Sequence, residues 1–243
     1  MESLKQQKLS ATILQPTYLP WMGYIEMIDA TDLFVIFDHV QFIKKSWHHR
    51  NRVKTSNGIT WLSVPVAHAS QQTKIRDITI AEQQKNELRN HWKTISLAYK
   101  SCEYFTQYNN ELEQLFNHDY VYLMDLNVAV ISFLLKHLGM NKTIIYSSDL
   151  NLADEDLGRT EKVINLCKKA GITYLYDAEG AEPLLNINLF KEENITIEFQ
   201  KYSHPIYKQL WGEFIPFLST LDVLMNEGDN ALSIIRSGNR RKN

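Results

Sequence analysis

Seven side chains able to carry positive charge, Lys44, Lys45, His48, His49, Arg50, Arg52 and Lys54, fall within eleven consecutive positions. Forked guanidinium groups suit two-point capture of phosphate or carboxylate, and lysine adds a point charge. Such a segment would take a nucleotide diphosphate or an acidic sugar, or would simply be a solvated basic face. Upstream, Gln15-Pro16-Thr17-Tyr18-Leu19-Pro20-Trp21-Met22-Gly23-Tyr24 mixes prolines, aromatics and a glycine, and Asp38 and Gln41 stand between the two stretches. Tyr18, Trp21 and Tyr24 could wall a base or a sugar ring, or could fill core. Gly23 lies near a predicted helix start, where open backbone N–H groups and the helix dipole hold anions; otherwise it only permits close packing. Arg159 and Thr160 open another predicted helix and would touch an anion there, or cap and pair at the surface. His204, followed by Pro205 and Tyr207, titrates near neutrality and is a candidate general acid or base as well as a candidate structural histidine. Asp222 and Asn226 share a helix face at i, i+4 and would bind ligand or brace the fold. The adjacent histidines 48 and 49 would point to opposite faces of a strand, and no Asp/His array follows, so no metal site is expected. The chain contains no P-loop, GxGxxG, GxSxG or HExxH pattern.

The elements that must position these residues follow from hydrophobic period. Leu9 to Gln15 is a short apolar run ended by Pro16, Met22 to Ala30 has helical spacing, and Leu33 to Phe37 is continuously apolar. Strand, helix and strand at this length make a βαβ unit, with parallel strands and a crossover of fixed hand. Thr60 to Val66 and Lys74 to Ile80 alternate and suggest an added β region with an antiparallel edge. Leu88, Trp92, Ile95 and Tyr99 mark a helix, Glu103 to Phe116 another, and Tyr120 to Leu138 a third, with Asp119 as its N-cap and Gly139 as its stop. A second βαβ unit is expected from Lys142–Tyr146, Arg159–Ala170 and Ile172–Tyr176. Ile195 to Phe199 adds a strand, and Phe214–Met225 and Asn230–Arg236 add helices. The predicted fold is α/β: an open, mainly parallel Rossmann-like sheet with flanking helices and a helical C-terminal part. The carboxyl ends of its strands, at Gln15, Asp38, Ser147-Ser148 and Asp177 to Gly180, are where such a sheet holds ligands.

With 243 residues the chain is long enough for a substantial core, read here as one domain spanning 1–243, with a weak boundary near 141–156 and a disordered tail at 237–243. A formal net charge of −2 gives no global reason to bind nucleic acid or anionic membrane, so anion recognition must be local. Cys102 and Cys167 are too few for a disulfide framework, which points to a reducing, cytoplasmic setting. The polar start and the lack of a long apolar run predict neither a signal peptide nor a membrane span.

Nearly the whole chain resembles the WbqC-like proteins. The resemblance rests on Gln15-Pro16-x-Tyr18-Leu19-Pro20-Trp21-x-Gly23-Tyr24, Asp32, Phe34, Asp38-x-Val40-Gln41-Phe42, Lys45-Ser46-Trp47, Arg50-Asn51-Arg52-x-Lys54, Trp61-Leu62 and Val64-Pro65. Gly158-Arg159-Thr160, Tyr174 to Gly180, Tyr202, His204-Pro205, Tyr207 and Ser219 to Gly228 extend it. Met225-Asn226 stands where Phe-Asn is expected, and Tyr176-Asp177 replaces an expected Ser-Gly pair. A more distant likeness joins Pro16-Thr17-x-x-x-Trp21-x-Gly23-Tyr24 to the HxGH segment of the nucleotidylyltransferase superfamily. Trp21 and Tyr24 replace its two histidines, so this likeness bears on architecture more than on adenylyl transfer.

WbqC-like proteins are associated with gene clusters for bacterial O-antigen and surface polysaccharide, and the resemblance implies acyl or aminoacyl transfer to a nucleotide-linked amino sugar. The small-molecule partners would be that sugar nucleotide and an acyl donor, with no cofactor specified. On this reading His204 and Asp38 are the catalytic candidates. Arg50, Arg52 and Lys54 hold diphosphate or carboxylate, and Gln15, Tyr18 and Tyr24 line the sugar or base. Trp21, Gly23, Gln41, Lys45, Asn51, Arg159, Thr160 and Tyr207 complete the binding set. A noncatalytic sugar-nucleotide or glycan-assembly binding protein would keep the cationic pocket without turnover.

Overall fold

The computed structural model describes residues 8–70, 72–82, 86–153 and 156–241. Five strands, β1 (Ser10–Leu14), β2 (Leu33–Ile36), β5 (Thr143–Tyr146), β6 (Tyr174–Asp177) and β7 (Thr196–Phe199), form an all-parallel sheet in the order β5-β2-β1-β6-β7. The order reverses beside β1, whose Leu14 pairs with Ile36 of β2 on one side while Ser10 and Ala11 pair with Tyr174 and Leu175 of β6 on the other. Successive strand residues face opposite sides, and both sides are covered. Ala11, Ile13, Leu33, Val35 and Leu175 join a core under α5 (Arg159–Ala170) and α6 (Ile187–Glu192). Leu14, Phe34, Ile36 and Tyr176 join the larger core on the other face. This explains the unbroken apolar run of β2, since every one of its side chains is buried.

The connection from β2 to β5 carries most of that larger core. It contains the antiparallel hairpin β3 (Arg50–Thr55) and β4 (Gly58–Ser63), followed by α2 (Asn86–Tyr99), α3 (Phe105–Asn117) and α4 (Leu123–His137). The core is completed by α1 (Met22–Asp29), α7 (Thr220–Glu227) and α8 (Ala231–Ser237). No helix among the described residues is long and apolar enough to cross a membrane.

Several local expectations change. Lys74 to Ile80 is not a strand: a 3-10 turn at Ile75–Asp77 and isolated bridges at Lys74, Thr79 and Ile80 bury its isoleucines instead. The stretch from Phe214 to Leu218 is irregular, because Phe217 takes φ 59° after Pro216. Helix α7 starts only at Thr220, where the Ser219 side chain accepts from Leu221 N (3.2 Å). Asp119 does not cap α4; Tyr122 holds that place without a side-chain cap. Gly139, at φ 67°, does follow the helix end. The short α6 was not foreseen, and Asn186 caps it by accepting from Asn188 N (3.1 Å). Residues 238–241, expected to be disordered, are held: Arg240 N donates to Lys201 O (2.8 Å) and Asn239 bridges Tyr202. Residues 242 and 243 lie outside the described residues.

Candidate functional site

The turn after β1 and the cationic segment are direct neighbours. Tyr18 N donates to Trp47 O (2.9 Å), Asn51 Nδ2 donates to the carbonyls of Tyr18 and Leu19, and Asn127 Nδ2 bridges Pro16 O (3.1 Å) and His48 O (2.8 Å). His48 Nε2 donates to Gln15 Oε1 (2.7 Å), while its Nδ1 accepts from Ile43 N (3.3 Å). Burial, with the neighbouring His49 adding to it, lowers the His48 pKa to about 4, so the ring is neutral and each nitrogen has one role. Gln15 therefore orients the basic loop from the end of β1.

Trp21 is the outermost aromatic of this turn. Its indole lies over Gly23, where an added Cβ would come within 2.2 Å of the ring. The glycine thus makes room for tryptophan at the start of α1. The same indole meets Tyr202 (5.6 Å between centroids), Phe217 (5.6 Å) and His204 (6.5 Å, stacked). His204 Nδ1 donates to Pro205 O (2.9 Å), which leaves Nε2 as the lone-pair nitrogen, buried and without a partner. Burial lowers the pKa of this ring, so it is a neutral base at pH 7. Around it stand Tyr207, Phe214 and Phe217 in addition to Trp21 and Tyr202.

From Phe217 the surface continues onto the hairpin. Arg52 Nε donates to Phe217 O (3.2 Å), and the Arg52 and Arg50 guanidinium carbons lie 6.0 Å and 5.0 Å from the Trp61 ring centroid. Trp61 stacks on Trp47 at 5.7 Å. Strand alternation accounts for the arrangement: Arg50 and Arg52 face outward beside Ser63 and Trp61, whereas Val53 and Leu62 are buried. Exposed Gln41 and Lys45 lie on the loop before β3; Lys45 takes φ 57°, and its N–H donates to His49 Nε2 (3.1 Å).

Other predicted residues have their polar atoms engaged inside the protein. Tyr18 is fully buried and shares a 2.7 Å hydrogen bond with His91 Nδ1, and Tyr24 donates to Gln15 O (3.2 Å). Lys54, 1% exposed, donates from Nζ to Gln209 Oε1 (3.2 Å), Gly212 O (3.3 Å) and Glu213 O (2.6 Å). Asp38, also 1% exposed, accepts from Ser147 Oγ (2.8 Å), Ser148 N (3.0 Å) and Ser148 Oγ (2.6 Å), tying the ends of β2 and β5 together. Tyr207 donates to Asp222 Oδ2 (2.8 Å) and Tyr99 to its Oδ1 (3.0 Å), and burial raises the Asp222 pKa to about 6. Thr160 accepts from Asn186 N (3.1 Å), and Arg159 stands exposed at the first turn of α5.

Of two further acids, Asp177 lies at one of the strand ends expected to hold ligand and Glu26 carries no predicted role. Asp177 ends β6 beside the reversal of strand order; its carboxylate accepts from Ala178 N (2.7 Å), and burial raises its pKa to about 6. Glu26, buried on α1, accepts from Gln200 Nε2 (2.6 Å), Tyr176 Oη (3.2 Å) and Asn239 Nδ2. A carboxylate set among Met22, Ile25 and Ile28 was the signal for Glu26. Among the described residues no group of three or more His, Cys, Asp or Glu side chains is placed to hold a metal ion.

The family model of the WbqC-like proteins matches residues 15–234. The chain is 33% identical over 227 residues, 92% of its own length and 96% of the other protein's, to the uncharacterized protein Rv1507c of Mycobacterium tuberculosis. No solved structure matches it.

Proposed function

Because this chain belongs to the WbqC-like protein family, we propose that it binds a nucleotide-linked amino sugar and transfers an acyl or aminoacyl group to it, in the synthesis of a surface polysaccharide. The observation that carries this reading is the reversal of strand order beside β1, with Trp21 at the start of α1, His204 on the loop after β7, and Arg52 and Arg50 on β3 brought together through Phe217 and Trp61 from that strand's carboxyl end outward. Ligands of open parallel sheets bind at such a reversal. In this arrangement Arg50 and Arg52 take the diphosphate, the more so because an indole beside a guanidinium fixes its plane. His204 Nε2, an acceptor without a protein partner, takes the proton that the sugar amine loses as its nitrogen bonds to the acyl carbon, and returns it to the departing group.

The test incubates the full chain with a panel of nucleotide amino sugars and either acyl thioesters or ATP with amino acids, followed by mass spectrometry of the nucleotide fraction. An acyl mass increment on the sugar is the expected result. His204→Gln should slow its appearance by about 100-fold or more with little change in affinity, and Arg50→Ala should weaken binding. No increment with any donor overturns the transfer reaction.

A binding protein without turnover is the second reading. It is favoured by the engagement of Asp38, Tyr18, Tyr24 and Lys54 inside the fold, which leaves His204 as the proton acceptor of the candidate set. Tight binding of a sugar nucleotide with no increment would support it.

A further inference from the structure

Between Asp38 and Asp77 the chain has seven lysines and arginines and no acidic residue, within a protein of formal net charge −2. The same stretch turns both of its tryptophans and two isoleucines outward: Ile43 is 57% exposed, Trp47 49%, Ile59 43% and Trp61 47%. Trp47, Trp61 and Ile59 form one surface, and Ile43 is exposed on the turn that carries Trp47. Trp47 stacks on Trp61, Ile59 and Trp61 share a face of β4, and Ser46 Oγ donates to Ile43 O (2.6 Å), which closes the turn holding Ile43 and Trp47. Lys44 and Lys45 are exposed on that turn, and Arg50 and Arg52 flank Trp61.

A soluble anion needs the cations but not the isoleucines. A strand of bases needs open ring faces, whereas Trp47 and Trp61 already stack on each other and Trp61 also meets Arg50. Aliphatic and indole side chains ringed by lysine and arginine suit the headgroup level of an anionic bilayer, with the apolar groups at the acyl boundary and the cations on phosphates. The geometry points to the outer face of the β3–β4 hairpin, with the turn before it, as a peripheral docking surface for anionic phospholipid membrane. Because Phe217 links Arg52 to Trp21, docking there would hold the rim of the parallel sheet close to the lipid. This inference does not depend on the transfer reaction.

The test is co-sedimentation of the full chain with vesicles of phosphatidylcholine plus phosphatidylglycerol and with vesicles of phosphatidylcholine alone. Binding to the anionic vesicles that weakens with salt is expected. Each basic residue near such a surface contributes about fivefold, so K44E/K45E should lower partitioning at least tenfold, and I43S/W47S should remove the salt-resistant part. All four positions are on the surface, and unchanged thermal unfolding will show that the variants fold. Equal sedimentation with both vesicle types, or partitioning indifferent to these variants, overturns the proposal. So does binding to oligothymidine or to a soluble acidic polysaccharide in the absence of vesicle binding.

Discussion

Gly23 shows how much a single missing side chain decides. Its Cβ would strike the Trp21 indole, and that ring is wedged against Tyr202 and Phe217 and cannot step aside freely. Gly23→Ala should therefore cost about 1–3 kcal/mol in urea unfolding and change tryptophan emission. Titrating residues act in opposite directions. Burial holds His48 and His91 at about 4, below their unfolded value near 6.5. As pH falls through that window the unfolded chain takes up protons first, and their contribution to stability is lost. Asp177 and Asp222, raised to about 6, bind protons first in the folded state, so their contribution grows as pH falls from 6 towards 4. The two sets offset each other and flatten the acid limb. Asp177→Asn removes one opposing group while its amide oxygen still accepts from Ala178 N. It should raise stability at pH 7 by about 1–2 kcal/mol and steepen the loss towards pH 4.5, as read by urea titrations at both values.

Among the elements, the coil before α7 depends on β3. Three carbonyl oxygens at Gln209, Gly212 and Glu213 converge on the Lys54 ammonium. Lys54→Met leaves them without that donor and should cost about 2–4 kcal/mol. Hydrogen exchange should accelerate across 209–217, which includes His204's neighbours Phe214 and Phe217, while β1 and β2 stay protected. The helices and parallel strands were legible because their apolar periods are long: α5 buries Val163, Ile164 and Cys167 on one stripe and closes at Gly171, and β2 has no polar residue to misplace. The irregular coil was not legible. Its path is set by positive φ at Trp211 and Phe217 and by a lysine 155 positions before Gln209, neither of which leaves a local period. For the same reason the candidate residues could be read as polar and well placed along the chain, but which of them are engaged internally could not: Lys54 and Arg52 look alike in sequence, and one is 1% exposed while the other remains partly open.

Across the whole molecule, the last described residues close the larger core. Asn239 donates to buried Glu26, the Arg240 backbone N–H donates to Lys201 O, and the Arg241 guanidinium carbon lies 4.2 Å from the Tyr176 ring centroid. A chain ending at Ser237 leaves the Glu26 carboxylate short of a donor and should lose about 2 kcal/mol, hence roughly 4–8 °C in Tm by calorimetry. The central position of β1 also bears on biosynthesis. Of the described strands β1 leaves the ribosome first, and β2 can cover one of its edges soon afterwards. The partner for its other edge, β6, is made about 160 residues later, roughly 8–32 s at ordinary elongation rates. Until then the nascent chain exposes an apolar strand edge in the middle of its future sheet, a surface for a holding chaperone to shield.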